Sequence, residues 1–583
     1  MGIYAADFET TTDPDDCRVW AWCICDIYNI DETIEYGETI YSFIEYISNL
    51  HGKIYFHNLK FDGTFIVDYL LKHNFEHSQE RKIYHNEFST LISDMRQWYQ
   101  VRFVPDRESG VDDEIQITDS LKILPMPISD MPKSFNIEEK KLKIDYKADR
   151  EIGHELTQEE KDYVAHDVII LAKALKFMYD HNQTKLTTGS NALNDYIHRL
   201  GKEEYKVRYP ELDLPTFTDF KKAYKGGFTY VNPAYKDKEV KEGAVFDVNS
   251  MYPWAMKNCL LPYGEPVYFP KKYKENPMYP LYIQCILCEF KLKPNHYPCI
   301  QIKGHFMYHD TEYLTQSIEP TYLYLTSVDE KLVFDHYDVN VIEWCGGYML
   351  KGTHGLFDEY IDYWYNEKTE ARIEGNPGRE KIAKLMLNSL YGKFGSKKRG
   401  KSCIPYLRED GRIGFKLSEE EIRKGGYIPM ACFITAYCRD KIIRGAQTCG
   451  DRFIYADTDS LHVAGTEPPE GLWVDNKALG AFKLEETFIR AKFIRQKTYL
   501  EVTLGKDYQE KINIKCAGMP KNVKETITES EFKEGAVFDG KLLPKIVPGG
   551  VILKETTFKI KKAKGVDNSL SLRYNTLEGS LLS

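Results

Sequence analysis

Two sets of acidic residues, far apart in the chain, have the types and spacing of metal-dependent phosphoryl chemistry. The first begins with Asp7-Phe8-Glu9, where period-two alternation sets both carboxylates on one face at the end of a short apolar strand. Such a triplet means little alone, because 88 acidic residues in a chain of 583 give roughly thirteen by chance. Its company gives it weight: Asp62 in HNLKFDGTF and Asp167 in YVAHD, with Tyr163 one helical turn before Asp167. Four carboxylates gathered at one place repel each other unless divalent cations sit among them. Two metals about 3.5 to 4 Å apart serve in-line displacement at phosphorus, one activating water and the other stabilising the leaving oxygen. A tyrosine hydroxyl one turn from a ligand could orient that water.

In the second set, Asp247 lies in GAVFDVNSMYP, and Asp457 and Asp459 lie in IYADTDSLHV, a strand-turn-strand pattern that puts acids at a hairpin tip. Between them, Lys384, Asn388 and Tyr391 fall at i, i+4 and i+7 of KLMLNSLYGKF, with Gly392 as the expected stop. One helix stripe thus presents a cation, an amide and a ring. A nucleoside triphosphate calls for Mg²⁺ held by carboxylates and a positive side chain on its oxygens, and its base and sugar call for a flat surface. The plainer reading of the helix is an amphipathic core element with Tyr391 packed inside.

These residues need scaffolds. The first 180 residues alternate apolar strands (IYAADF, KIYFHNL, EIQITDSL) with helical stretches, an α/β pattern. Thr157 and Glu160 form a capping box ahead of EKDYVAHDVIILAKALKFMYDH, whose apolar residues recur at helical spacing through Met178. The polar run DHNQTKLTTGSN reads as a linker or loop, and a second α/β region begins near Ala244, so a boundary falls between residues 180 and 245. The strand GAVFDV leads into a Pro- and Tyr-rich stretch of strands and turns, roughly 262 to 350, then a helical stretch from about 354 to 394. Within it, residues 372–380 (RIEGNPGRE) read as an insertion with a Pro-Gly turn. A basic, Gly-containing segment (396–426), a helix (431–449) and the hairpin RFIYADTDSLHV follow, and the tail after Lys564 is short and polar.

Composition bounds the function. A chain of this length holds roughly three or four structural units, and 42% apolar with 28% charged residues excludes a disordered chain. The net charge of -10 is carried by the first 50 residues, with eleven Asp and Glu against Arg18, so the remainder is neutral. Within that remainder, residues 379–401 hold eight Lys and Arg against Glu380, and residues 541–564 hold seven Lys against Glu555, local excesses that a polyanion feels. The 42 Tyr suit wet grooves, where a ring stacks and a hydroxyl finds a partner. Thirteen Cys and no signal peptide point to free thiols in a reducing compartment. Cys285 and Cys288 form a CxxC, but the flanking YPLYIQCILCEFKL reads as a strand rather than a zinc ribbon. No apolar run approaches a membrane span.

Taken in order, DFETT, FHNLKFDG, YVAHD, YKGGF, DVNSMYP, KLMLNSLYG, YADTDS and KTY span about residues 4 to 560. The set resembles family B DNA polymerases, in particular the protein-primed, strand-displacing polymerases of small phages whose linear genomes carry a terminal protein on each 5′ end. The resemblance implies a multidomain α/β and α+β fold. A ribonuclease H-like exonuclease domain would cover 1–185, and a linker with the YKGG motif 186–243. A right-hand polymerase domain would follow, with palm segments at 244–262 and 427–525 and fingers at 354–395. A first inserted region contacting terminal protein would lie at 263–353, and a second, a DNA-clamping hairpin, at 396–426. The thumb would cover 526–565 and a tail 566–583.

It also implies roles residue by residue. Asp7, Glu9, Asp62 and Asp167 match the metal-binding acids of the family's 3′-5′ proofreading exonuclease, and Tyr163 its water-orienting tyrosine. Asn58, Phe61, Ser120 and Leu121 match residues that hold the single-stranded primer end. Tyr224, Lys225, Gly226 and Gly227 look like the inter-domain motif that contacts template. Asp247 and Asp459 match the polymerase metal ligands, with the Val248 carbonyl as a further ligand and Asp457 in support. Tyr252 corresponds to the residue beneath the deoxyribose, Lys384 to a triphosphate ligand, and Asn388 and Tyr391 to the lining of the nascent base pair. Lys497 and Tyr499 would hold the primer terminus. For the second triphosphate lysine, Lys368 and Lys381 both stand open.

The resemblance implies two Mg²⁺ or Mn²⁺ ions per active site. The partners would be template and primer DNA, deoxynucleoside triphosphates and a terminal protein, with no membrane. The enzyme would work as a monomer in the cytoplasm of an infected bacterium. The basic segment from Ser396 to about Gly426 is long for a connection and reads as two short strands around an Asp-Gly turn, with Lys397, Lys398, Arg399 and Lys401 available to phosphate. A nuclease with a large DNA-binding appendage is the competing reading. It accounts for the first carboxylate set and leaves DVNSMYP and YADTDS without a task.

Overall fold

The computed structural model describes residues 2–105, 114–142, 144–145, 148, 150–302 and 313–561. Its N-terminal unit is built on an eight-stranded mixed sheet. The strand Gly2–Thr10 lies inside it, antiparallel to Val19–Asp26 and parallel to Gly52–Phe56, which in turn runs parallel to Ile115–Asp119. Ala5 and Ala6 point to opposite faces and both are fully buried, so this sheet is covered on two sides. The helix Gln158–Asp180 covers one face, and Ile40–Ser48 and Asp62–Lys72 cover the other. The first of these begins at the expected capping box, with the Thr157 hydroxyl accepting from the Glu160 N–H and the Glu160 carboxylate accepting from the Thr157 N–H.

A second, five-stranded antiparallel sheet runs in the order Phe482–Phe488, Gly243–Val248, Ser460–Ala464, Phe453–Asp457, Thr229–Val231. The helix Ile428–Cys449 packs against it and is buried almost all round, which accounts for small and apolar residues on every face of IPMACFITAYC. It starts at Ile428, ahead of the expected 431. Residues 261–353 form a separate four-stranded sheet, ordered Leu261–Phe269, Tyr337–Thr353, Leu281–Leu292, Thr321–Thr326, with a small core of its own around Ile286, Phe290 and Leu323. In its third strand, odd spacing turns Cys285 and Cys288 to opposite faces; Cys288 is buried, and the CxxC is no metal clip.

The stretch expected as one helix is two, Asp358–Ile373 and Pro377–Phe394. The chain reverses at Gly375, whose φ of +69° a side chain would strain, and not at Pro377-Gly378. The Asn376 side chain caps the Arg379 N–H, and Pro377 sits in the first helical turn, where its missing N–H costs nothing. Gly392 does not stop this helix either, since it runs on to Phe394 with Gly395 at its end.

The strands Cys403–Leu407 and Ile413–Leu417 pair around Arg408–Arg412, as the Asp-Gly turn predicts. Cys403 and Ile413 join Phe65, Ile92 and Trp98 of the N-terminal unit and Val547, Val551 and Ile552 of the hairpin Val537–Val547/Gly550–Lys559 in one core. Three regions distant in sequence thereby close on one another. The expected boundary at residue 526 runs through one core. Phe558 and Ile560 pack with Leu500, Val502 and Ile514 of the sheet before it. The tail expected at 566–583 lies outside the described residues.

Candidate active sites

Residues 5, 7 and 9 share the face of the first strand that the helix Gln158–Asp180 covers. Ala5 packs under the helix, and Asp7 and Glu9 carry that face to the strand's end, where Asp167 comes down from above. Asp62 enters from the first turn of Asp62–Lys72. Glu9, Asp62 and Asp167 are 8, 4 and 2% exposed. Burial first, and then the Asp167 charge, raise Asp7 to about 7. Burial and Asp7 likewise push Glu9 and Asp62 well above the carboxylate range. The Lys141 ammonium pairs with Asp167 Oδ2 and offsets part of the shift on Asp7 and Glu9. Oδ1 of Asp167 is buried without a hydrogen-bond partner. Buried, mutually repelling acids with an unsatisfied oxygen fit divalent cations. Among the described residues, no three His, Cys, Asp or Glu side chains stand close enough to share an ion.

The rim beside this site is organised by a residue the sequence reading did not single out. Asp119, 2% exposed, accepts from the N–H groups of Asn58 (3.0 Å), Leu59 (3.3 Å) and Leu121 (3.0 Å) through one oxygen, tying two loops together. Asn58, held at φ +70°, is exposed, and Phe61 and Leu121 are half-exposed. Ser120 is fully buried, its hydroxyl 2.9 Å from both His57 Nδ1 and the Phe56 carbonyl, so its side chain serves the loop and does not reach the rim. Tyr163 is buried one turn before Asp167.

At the second site, Asp247 near the end of Gly243–Val248 pairs with Ser460 on one side and Lys483 on the other. The turn carrying Asp459 is fixed to that strand by the Val248 N–H, which donates to the Asp459 carbonyl at 2.8 Å. Burial, then Asp459 and Glu485, raise Asp247 to about 7; burial followed by Asp457 and Glu485 raises Asp459. Acids raised by burial and by neighbouring carboxylates, on a hairpin tip and the strand beside it, suit a shared divalent cation, as at the first site. Asp457 accepts from the Lys497 ammonium at 2.5 Å, and the Lys497 N–H donates to the Tyr455 hydroxyl at 2.9 Å. Tyr499 is buried beside Tyr455, His462 and Phe493.

The helix Pro377–Phe394 presents Lys384 and Asn388 to solvent, and Tyr391 stacks on Tyr252 with ring centres 3.9 Å apart and planes 7° from parallel. Tyr391 is half-buried, packing against the core with one side and stacking on Tyr252. Lys384 pairs with Glu380 at 2.8 Å. Between the two open candidates, Lys368 reaches the Ser250 hydroxyl (3.4 Å), three residues after Asp247, and Lys381 lines a cleft together with Lys384, Asp130 and Lys133.

The YKGG segment abuts the acidic turn. A Cβ on Gly227 would stand 2.9 Å from the Thr458 side chain, and the Thr458 N–H donates to the Phe228 carbonyl at 2.8 Å. Gly226 faces open space and Tyr224 ends the helix Leu214–Ala223. From inside, Arg439 donates to the carbonyls of Lys225 (2.7 Å) and Gly226 (3.0 Å) and forms a bidentate pair with Asp329 (2.8 and 2.9 Å). In the basic segment, Lys398 is withdrawn from phosphate: it is 7% exposed, bonded to Glu211 and the Leu212 carbonyl.

Sequence reasoning missed Lys141, Asp119, Glu485 and Arg439. Lys141 lies in EEKKLKIDYK, where neighbouring lysines look alike, and the other three act through partners far along the chain. Among the described residues no helix is long and apolar enough to cross a membrane.

The chain is similar to polymerases of known type along nearly its whole length. It is 42% identical over 575 residues to the DNA polymerase of Bacillus phage M2, covering 96% of this chain and 99% of that one. The fold superposes with a TM-score of 0.91 and 40% identity on phi29 DNA polymerase complexed with primer-template DNA and incoming nucleotide, covering 96% of this chain and all of that one. It matches the same polymerase complexed with single-stranded DNA at a TM-score of 0.90. The profile of the family "DNA polymerase type B, organellar and viral" matches residues 44–477, and the chain belongs to that family.

Proposed function

We propose that this DNA polymerase copies a linear phage genome from a terminal-protein primer, displaces the downstream strand as it goes, and proofreads with a separate 3′-5′ exonuclease. The observation that carries the two-activity reading is the pair of carboxylate sites, one under the helix Gln158–Asp180 and one at the Asp457–Asp459 turn, each with acids raised by burial and mutual repulsion.

In the polymerase half, Asp247, Asp459 and the Val248 carbonyl would hold two Mg²⁺ or Mn²⁺ ions, with Asp457 in support. Such ions activate the primer hydroxyl and neutralise the leaving pyrophosphate. Lys384 and Lys368 bind the triphosphate. Tyr252 and Tyr391 give the sugar and base a flat floor, Asn388 lines the nascent pair, and Lys497 with Tyr499 seats the primer end. In this reading the sheet at 243–248 and 453–464 is the palm, the two helices at 358–394 are the fingers and the hairpin at 537–559 is the thumb.

In the exonuclease half, Asp7, Glu9, Asp62 and Asp167 would hold the ions. Tyr163 orients water, Lys141 balances charge at Asp167, and Asn58, Phe61 and Leu121 grip the frayed strand, with Ser120 shaping the loop from behind. Tyr224, Gly226 and Gly227 contact template and help partition the primer between the two sites. The shared core of the N-terminal unit and the hairpins at 403–417 and 537–559 supports a closed passage around DNA. The four-stranded sheet at 261–353 is the surface offered to terminal protein, and the enzyme works as a monomer in the infected cell's cytoplasm.

The test is incorporation of labelled deoxynucleotide by the purified chain, first on a primed template and then on terminal protein with no DNA primer. Extension of the first with no labelling of the second would leave a polymerase that is not protein-primed. Failure of both with intact strand degradation would favour the nuclease reading.

A further inference from the structure

The strand Phe482–Phe488 sets Lys483 directly across from Asp247 in an antiparallel pair. Side chains of such partners project to the same face, so ammonium and carboxylate share the surface of the second site. Lys483 is half-buried, while Leu484, Glu485, Glu486 and Thr487 after it are exposed. Its charge is felt by two groups. It opposes the rise of Asp247. After burial, and together with Arg372 and Lys384, it presses Lys368 down to about 8. Lys368 reaches the Ser250 hydroxyl at 3.4 Å, and the charges of Lys384 and Lys483 act on it from a second helix and from the strand beside Asp247. Carboxylates face this group as well: Asp247 stands across from Lys483, Glu485 lies two residues beyond it, and Glu380 is shared between Lys384 and Arg372. Cations repel one another as acids do, and a cluster of them is stabilised by a polyanion among them.

We propose that Lys483 is a third triphosphate-binding cation of the polymerase site, acting beside Lys368 and Lys384. The proposal rests on the reading of Asp247 and Asp459 as the polymerase centre. A lysine is a compact point charge suited to a flexible phosphate tail. Its contact is made in the bound substrate and kept through the transition state, so its loss raises KM and spares kcat. The same contact holds pyrophosphate in the reverse reaction.

The experiment is single-nucleotide addition on a primed template at saturating Mg²⁺, comparing wild type with Lys483→Gln and Lys483→Arg. The dNTP KM should rise about fivefold to tenfold in Lys483→Gln, the scale of one charge-assisted contact, with kcat within about twofold. Lys483→Arg should restore most of the affinity, and the KM for pyrophosphate should rise in parallel with that for dNTP. If Lys483 only balances Asp247, Lys483→Gln instead moves the Mg²⁺ midpoint and leaves the dNTP KM at saturating Mg²⁺ unchanged, which overturns the proposal. Degradation of a single strand by each variant reports that it is folded. A wild-type chain that cannot extend would overturn the polymerase reading itself; an extending wild type with an unchanged KM in Lys483→Gln overturns only the role of Lys483.

Discussion

At the N-terminal site the acids lie beneath a helix, and Glu9, Asp62 and Asp167 are almost wholly buried, with Lys141 as their counter-charge. At the second site Asp457 and Asp459 stand half-buried on a hairpin tip, and the cations come from elsewhere: Lys368 and Lys384 from two helices, Lys483 from a strand and Lys497 from the turn between Arg490–Arg495 and Thr498–Leu504. On the proposed function, the difference follows from what each must admit. A narrow site that takes one strand end can shut its acids away from water, which strengthens their hold on ions and charges the fold a larger desolvation penalty. A site that must receive a triphosphate, a primer and a template has to stay open, and it supplies positive charge on several separate elements.

Replacing Tyr252 should break the second site in the most visible way. The ring lies flat on Tyr391 five residues after Asp247, and in the proposed reading it fills space that a ribose 2′-hydroxyl would need. Tyr252→Val should raise ribonucleotide incorporation relative to deoxyribonucleotide by on the order of a hundredfold, read from kcat/KM ratios. The first site has no part in this, and strand degradation should not change. An unchanged ratio would remove Tyr252 from the sugar pocket.

The passage joining the two sites is tested next. Deleting the tip and strands 403–417 should leave addition of one nucleotide nearly normal, but shorten products by about tenfold under single-binding conditions and stall synthesis at duplex. Equal product lengths would leave the hairpin a packing element with no part in holding DNA.

Burial has a thermodynamic consequence as well, and Asp7 illustrates it. Asp7 holds its proton to about pH 7 in the folded chain but loses it near 3.8 when unfolded. The folded state therefore binds that proton more tightly, and the associated stability is lost as pH rises from about 4 through 7. In chelator, Asp7→Asn should raise stability at pH 8 by a few kcal/mol and by less at pH 5, measured by thermal or urea melts. Equal melting of variant and wild type at both pH values would show that the acids are not crowded.

The smallest effect separates two lysines of one basic run. Lys401→Ala should weaken DNA binding by roughly threefold and lower its salt dependence. Lys398→Met should leave the salt slope alone and lower stability by about 1 to 3 kcal/mol through the orphaned Leu212 carbonyl and Glu211.

Much of this was legible because it is local. Period-two alternation placed Asp7 and Glu9 on one face, the capping box fixed the start of the helix that carries Asp167, and the Asp-Gly turn marked the hairpin at 403–417. What failed to show was set by tertiary partners. Gly392 carries no stop signal once the Phe394 side chain is buried beyond it, and Lys398 looks like its basic neighbours until Glu211, nearly two hundred residues earlier, claims it. Lys483 escaped notice for the same reason, since only strand register puts it opposite Asp247.

The central claim is that the two carboxylate sites are separate catalytic centres. It is tested most directly by following one 5′-labelled primer-template, with and without dNTPs, in Asp7→Ala/Glu9→Ala and in Asp459→Ala. The account predicts that the first variant extends the primer but loses single-strand degradation by at least about a thousandfold, and that the second degrades but loses extension to the same degree. Loss of both activities in either variant, with the fold intact by melting, would contradict it.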